Sequence, residues 1–196
     1  MSALTPCRSR LLPANLLDDL TIRRLGLIDH ELRGNKLPVL FPTDAYATVF
    51  LRGTDPVIAK SIETIRQDRQ RNFDDRPGVI YVFWVRGQAT NEVKIGRSIN
   101  KAERRAADWS RVIAPSGKKV KLLFSFQTRY NMLAEQIIHA TLAAEQIEKL
   151  KHPTTGRALT EFFRVDNILL LRLFILLCIR YSDALGDEIV RNKQNK

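Results

Sequence analysis

A β-rich stretch between Gly78 and Ser98 decides the fold of this chain, and it reads GVIYVFWVRGQATNEVKIGRS. Residues 79–85 form an unbroken apolar run, which is typical of a strand buried on both faces. The more polar residues 86–91 predict a turn, and the run at 93–98 predicts a second, shorter strand. Two such runs on either side of a short polar segment indicate a β-hairpin.

The segment after the hairpin predicts a helix that begins at Asn100. An asparagine can cap a helix, and Glu103, three residues later, completes a capping-box pattern. Ala102, Ala106 and Trp109 recur at helical spacing and form the stripe that we expect to be buried.

The remaining downstream elements complete the predicted fold. Apolar side chains at alternate positions 120, 122, 124 and 126 predict a third strand over residues 120–128. A long helix is predicted over residues 131–150, and Asp166 is predicted to cap a last helix that runs to Tyr181. The order indicates the α/β class: a small three-stranded mixed or antiparallel sheet with flanking helices, a helical N-terminal extension and a C-terminal helix.

Boundary signals divide the chain into three predicted parts. Helical spacing marks residues 16–27 and 56–72, and the run DDRPG at 74–78 marks the start of the functional domain. We therefore predict a partly flexible helical extension over residues 1–76, a functional domain with its C-terminal helix over 77–185, and a basic tail over 186–196.

The charge of the chain predicts a polyanionic partner. Its formal net charge is +11 and its pI is about 10.1. Between Arg76 and Lys121 there are 11 Lys or Arg against 3 Asp or Glu, so most of the excess lies in less than a quarter of the chain. Such a patch favours nucleic acid or an anionic membrane surface. No helix pairs a lysine-rich polar side with a broad apolar one, so we expect no membrane partner.

The two cysteines, Cys7 and Cys178, are far apart and form no CxxC pair. A disulfide scaffold or a cysteine zinc site is therefore not expected, and a reducing compartment fits. The apolar run at residues 168–179 is too short to span a bilayer and contains Arg172, so it predicts a buried helix. With no secretory signal visible, the sequence predicts an intracellular protein of the cytoplasm or nucleus.

Several short motifs, taken in order, resemble the GIY-YIG nuclease superfamily. They are GVIY at 78–81, KIGRS at 94–98, then Asn100 and Arg104; NMLAEQIIHATL at 131–142 and TEFF at 160–163 resemble its phage-encoded DNA-binding branch, also found in fungi. The resemblance covers the middle of the chain and implies an endonuclease that hydrolyses DNA phosphodiester bonds. It also implies a divalent cation, Mg²⁺ or another such as Mn²⁺.

The resemblance assigns the first two catalytic positions to Tyr81 and Lys94. In the family this tyrosine contacts the attacking water or the phosphate, and as a base it needs a nearby cation or metal to favour phenolate. Lys94 stands where a second tyrosine is usual. A lysine there would lower the pKa of Tyr81 or hold a phosphate oxygen; the alternative is an exposed strand lysine. Gly96 is expected to allow a backbone turn or a close approach to substrate.

Arg104 is the predicted cation for the negative charge that develops during phosphodiester cleavage, because a guanidinium offers a planar pair of donors. Other basic residues are predicted to extend the contact along a DNA backbone, with a solvated surface as the alternative. These are Arg97, Arg105, Arg111, Lys118 and Lys119.

Glu135 is the predicted metal ligand, since one carboxylate, waters and substrate phosphates suffice for Mg²⁺. His139 lies four residues later on the same helical face. It is interpreted as a phosphate-contacting group or a structural histidine. Glu161 in TEFF is a candidate to orient Arg104 or His139.

Two functions follow from this set of residues. The first is a metal-dependent DNA endonuclease, and the alternative is a catalytically inactive module that only binds DNA. The endonuclease hypothesis requires Tyr81, Lys94, Arg104 and Glu135 to meet at one phosphodiester. It predicts that the helix of Glu135 is not on the opposite face of the sheet from the other three, since a helix there would leave only a basic fold.

Overall fold

The computed structural model describes residues 56–86, 92–114, 119–147, 161–165 and 167–195. They all belong to the compact unit formed by residues 44–196. The predicted helix at 16–27, the turn after residue 86, Lys118 and the Asp166 cap lie outside the described residues.

Four antiparallel strands form the sheet, in the order β3-β1-β2-β4. They are β1 (Gly78–Arg86), β2 (Glu92–Ser98), β3 (Lys119–Thr128) and β4 (Phe162–Arg164). The predicted hairpin is confirmed, and Tyr81 lies directly opposite Gly96. The sequence predicted three strands, but the sheet has four. The sequence did not indicate β4, because that strand has only three residues and is defined only by its pairing with β2.

A β-bulge in β3 changes which face its side chains occupy. Val82 lies opposite Phe124 and Phe83 opposite Leu122, so one residue of β3 is skipped. Paired residues share a face. Leu122 therefore lies on the face of Phe83, whereas Phe124 lies on the other face. The single alternating face predicted for residues 120–126 is therefore split between the two sides of the sheet.

Four helices surround the sheet in the described part of the chain. They are α1 (Pro56–Arg71), α2 (Ala102–Ile113), α3 (Asn131–Thr141) and α4 (Ile168–Gln194). One sheet face carries Tyr81, Phe83 and Phe162, and it packs against Ala102 and Trp109 of α2. The expected buried stripe of α2 is thus confirmed.

Helix α2 begins later than the sequence predicted. Its N-cap is Lys101 in extended conformation, and no side chain caps it. The N–H of Asn100 instead donates to the Ser98 hydroxyl at 3.0 Å. The capping box of Asn100 and Glu103 is therefore wrong, because the turn after β2 places the first helical residue two positions beyond Asn100.

Helix α3 is shorter than predicted and receives its cap from a distant residue. It ends at Thr141, a 3₁₀ turn follows over Ala143–Glu145, and Gln146 then bridges to Phe163 beside β4. Pairing with the sheet thus replaces the predicted continuation of the helix. At its start, the Asp75 carboxylate accepts the N–H groups of residues 132 and 133, at 2.9 and 2.7 Å. A negative charge there satisfies unpaired donors of the first turn.

Helix α4 does not end at Tyr181 but continues to Gln194. Its buried stripe extends with Ser182, Leu185 and Ile189, which gives the added turns a packed face. The predicted tail thus begins inside this helix. Gly186 is required there, because a Cβ would collide with the Tyr130 ring.

The apolar run at residues 168–179, predicted to form a buried helix, contributes to the core. Cys178 is fully buried and not in a disulfide, and burial raises the pKa of its thiol.

Helix α1 packs on α3 and α4, and Arg69 Nε donates to Gln136 Oε1 at 2.9 Å. None of the described helices is long and apolar enough to cross a membrane.

Candidate nucleic-acid interface

The Tyr81 side chain is the centre of the candidate site. Its ring lies over Gly96 on the neighbouring strand, where a Cβ would stand 2.7 Å from the hydroxyl oxygen and 2.9 Å from Cζ. The close approach expected at Gly96 is therefore made by the Tyr81 ring. Since only a glycine leaves this space, the KIGRS motif sets the position of the phenol.

Arg105 is the cation that acts on the Tyr81 hydroxyl. Burial raises the pKa of the Tyr81 phenol above 10.0, while a hydrogen bond and the charge of Arg105 oppose the rise. The net direction is upward, so Tyr81 is a neutral hydrogen-bonding group at neutral pH. The expectation that its surroundings favour phenolate is not met by the side chains present.

Lys94 is fully buried on the same sheet face, and is not an exposed strand lysine. Its Nζ lies 4.5 Å from the centre of the Trp109 ring and 5.9 Å from that of Tyr81. Burial, followed by the charge of Arg105, lowers its pKa from 10.5 to about 7, and Glu135 opposes the shift. Its ammonium also forms an ion pair with Glu161, so Glu161 contacts Lys94 rather than Arg104 or His139.

Glu135 reaches the site at Arg97, near the end of β2. Arg97 donates its backbone N–H to Oε1 at 3.1 Å and its Nε to Oε2 at 2.8 Å. The charge of Glu135 acts on both Tyr81 and Lys94, raising the pKa of each. A carboxylate, a phenol, a lysine and Arg105 are therefore within electrostatic range of one another.

The helix that carries Glu135 nevertheless packs on the opposite face of the sheet from Tyr81. Trp84, Val93 and Phe163 share that second face by register, and His139 of α3 packs on the Phe163 ring at 5.1 Å. The expectation that this helix avoids the opposite face is wrong. Its carboxylate still joins the site, because on the side of β2 away from β1 no strand among the described residues pairs with Arg97, and the Arg97 N–H donates to Glu135 instead.

His139 fixes α3 to the same strand edge. Its Nε2 donates to the Ile95 carbonyl at 3.2 Å, two residues before the contact of Glu135. Burial lowers the pKa of this imidazole, so at neutral pH it is uncharged. These contacts are those of a structural histidine that aligns Glu135.

The other predicted basic residues differ in their ion pairs and in how much of each residue is described. Arg104 is exposed and has no hydrogen bond or ion pair with any described residue. Arg111 is exposed and pairs with Asp108 on its own helix at 3.2 Å. Lys118 lies outside the described residues, and of Lys119 only the backbone, in β3, is described.

Spacing along α2 explains why Arg105, not Arg104, meets the phenol. Arg105 is three residues after Ala102 and four before Trp109, so it adjoins the buried stripe. Arg104 projects from another side. Helical spacing in the sequence carries this signal, whereas the family resemblance assigns the role to Arg104.

A magnesium ion would fit at Glu135 as the single protein carboxylate. Two of the roughly four lone-pair positions of the carboxylate accept hydrogen bonds from Arg97, whose positive charge opposes a cation at the other two. Hydrogen-bonded carboxylates are common metal ligands. Within the described residues, no group of three or more His, Cys, Asp and Glu side chains could hold a metal ion, so water and substrate would supply the other ligands.

The fold and site define a class: a small antiparallel-sheet domain whose basic helix and strand edge surround a buried phenol. The chain belongs to the T5orf172 domain family, whose model matches residues 78–178. This phage-associated domain occurs in the context of GIY-YIG/HNH-like endonucleases and is consistent with a nuclease-like DNA-binding module. No curated protein and no solved structure was found to match the chain.

Proposed function

We propose that this chain is a GIY-YIG-type endonuclease that binds DNA and hydrolyses a phosphodiester at Tyr81, Lys94, Arg105 and Glu135. One observation carries the proposal: Arg105 and Glu135, from two different helices, both act on the pKa of the buried Tyr81 phenol, Arg105 lowering it and Glu135 raising it. The four groups come from two strands and two different helices. Such convergence of distant groups is what phosphoryl chemistry requires.

Each group has a distinct part in the proposed reaction. Arg105 offsets the charge that grows on the non-bridging oxygens. Tyr81, neutral because burial raises its pKa, orients the attacking water or a phosphate oxygen. Lys94 has a pKa of about 7 and pairs with Glu161, so this lysine–carboxylate pair would take up or release a proton near neutral pH. Mg²⁺ held by Glu135 would add Lewis-acid stabilisation of the phosphate.

Nicking of supercoiled plasmid by the full chain with Mg²⁺ or Mn²⁺ tests the proposal. Tyr81→Phe, Arg105→Ala and Glu135→Gln should each reduce the nicking rate, and for Arg105→Ala by about 100-fold or more. The reason is that each substitution removes one polar group while keeping the packed scaffold.

Matched controls come from residues away from the cluster. They are Tyr130→Phe, Lys60→Ala and Glu103→Gln, and each should nick within about twofold of wild type, as expected for surface or remote changes. Cleavage by all three site variants at the wild-type rate refutes the proposal. If Glu135→Gln alone cleaves normally, the metal assignment is wrong.

A second candidate function is a DNA-binding module without cleavage. It is favoured by the pairing within the site, because Arg97 occupies both oxygens of Glu135 and Glu161 pairs with Lys94. This function predicts salt-sensitive DNA binding that Arg105→Ala weakens, with no nicking under any divalent cation.

A further inference from the structure

We infer that Arg97 is a positioning residue that keeps the Glu135 carboxylate from divalent cations until a DNA phosphate draws its guanidinium away. The inference rests on the proposed function, since it concerns the same cluster. It makes Arg97 more than a contact to the DNA backbone.

Arg97 donates two hydrogen bonds to Glu135, one from its backbone and one from its side chain. The backbone N–H donates to Oε1 at 3.1 Å, whereas the side-chain Nε donates to Oε2 at 2.8 Å. In the described part of the chain β4 pairs with residues 92–94 of β2, which leaves the Arg97 N–H to Glu135. The N–H of Ile95 goes to the Glu161 carbonyl at 2.9 Å, and that of Arg97 lies two residues further along the same edge of β2.

Only one of these two contacts can be released without moving the sheet. The Arg97 side chain is 34% exposed, against 19% for Glu135, so an incoming phosphate can reach the guanidinium. If the side chain turns away, Oε2 is freed while the backbone still holds Oε1. The carboxylate then keeps its orientation and gains a free oxygen for a cation.

Asn131 gives the guanidinium a second anchor. Its Oδ1 accepts from an Arg97 terminal nitrogen at 3.2 Å, and Asn131 itself is buried in the first turn of α3. Arg97 can therefore leave Glu135 and remain tethered beside the site. Guanidinium groups bind phosphate in the same two-pronged way as carboxylate, so phosphate and Glu135 compete for the same donors.

The physical consequence is a coupling between two ligands. Phosphate that removes Arg97 raises the cation affinity of Glu135, and by linkage a bound cation raises the affinity for phosphate by the same factor. The free protein should therefore bind divalent cations weakly.

Titration of the full chain with Mn²⁺ in the absence of DNA, with free Mn²⁺ measured by electron paramagnetic resonance, tests this inference. Arg97→Ala should bind Mn²⁺ about tenfold more tightly than wild type, the size expected for removing one charge-assisted contact. Arg97→Met, which keeps most of the aliphatic side chain, should do the same if the alanine variant folds poorly. Adding Glu135→Gln to either variant should abolish the gain.

A charge-matched control separates this effect from general electrostatics. Lys101→Ala removes an exposed positive charge at the start of α2 and should change Mn²⁺ affinity by less than about twofold. The inference is overturned if both Arg97 variants bind Mn²⁺ no better than wild type. It is equally overturned if Lys101→Ala gives the same gain, or if the gain survives Glu135→Gln.

The outcome is independent of cleavage. A protein that never nicks DNA but shows the Arg97 effect would retain this inference and lose the endonuclease proposal. A protein that nicks DNA without the Arg97 effect would do the reverse.

Discussion

Replacing Lys94 by methionine should change how the stability of the protein depends on pH. Lys94 is fully buried, and its pKa falls from 10.5 to about 7 on folding. Between these two values the unfolded chain carries the proton that the folded chain has released. The free energy of unfolding contributed by Lys94 therefore rises with pH from about 7 and levels off only near its unfolded pKa.

The size of the effect follows from the shift. Each pH unit within this window is worth about 1.4 kcal/mol, so from pH 7 to 9 wild type should gain roughly 2–3 kcal/mol relative to Lys94→Met. The ion pair with Glu161 favours the charged lysine and acts to reduce the gain. Below pH 7 the variant should be the more stable protein, since it has no buried ammonium to desolvate.

Urea unfolding of both proteins at pH 6, 7, 8 and 9, followed by tryptophan fluorescence, measures this difference. Lys60→Met, at an exposed position of α1, is the control and should follow wild type at every pH. A difference between wild type and Lys94→Met that does not change with pH would refute the reasoning. So would a wild type that loses stability relative to the variant as pH rises, since Lys94 would then be held charged.

Two further predictions concern packing and a remote ion pair. Gly96→Ala should cost about 1–3 kcal/mol of unfolding free energy and slow plasmid nicking, because its Cβ would stand 2.7 Å from the Tyr81 hydroxyl oxygen. Asp187→Asn should cost about 1 kcal/mol in urea unfolding and leave nicking unchanged. Its carboxylate accepts from Arg129 at 2.7 and 2.8 Å and from the Tyr130 hydroxyl at 2.9 Å.

Each of these two predictions has a clear contrary result. Gly96→Ala with wild-type stability would mean that the phenol does not lie over the strand. For Asp187→Asn the control is Asp68→Asn at an exposed position of α1. Equal stabilities of these two asparagine variants would contradict a role of Asp187 in tying α4 to the start of α3.

Much of the fold follows from local patterns in the sequence. The hairpin between Gly78 and Ser98 was predictable because its two apolar runs are long and flank a short polar segment. The buried stripe of α2 was predictable because Ala102, Ala106 and Trp109 recur at helical spacing. The capping of α2 was not, since Asn100 satisfies its N–H within the turn after β2, and only the course of that turn decides where the helix begins.

The candidate site was predictable in its residue types and only partly in its geometry. Tyr81 and Lys94 share one sheet face, as their strand register requires. Arg105, rather than Arg104, acts on the Tyr81 phenol, because helical phase counted from Ala102 places Arg105 beside the buried stripe of α2. Glu135 approaches from the opposite face and around the edge, a route that depends on where β4 ends.

Composition and short-range periodicity are enough to establish the class of fold, the basic region and the presence of a phenol, a lysine, guanidinium groups and a carboxylate. Tertiary structure alone decided their partners: the fourth strand, the bulge that divides β3, the ion pair of Lys94 with Glu161 and the two-point hold of Arg97 on Glu135. These contacts join residues far apart in the chain. Their energies depend on burial and on strand edges, neither of which a local sequence pattern specifies.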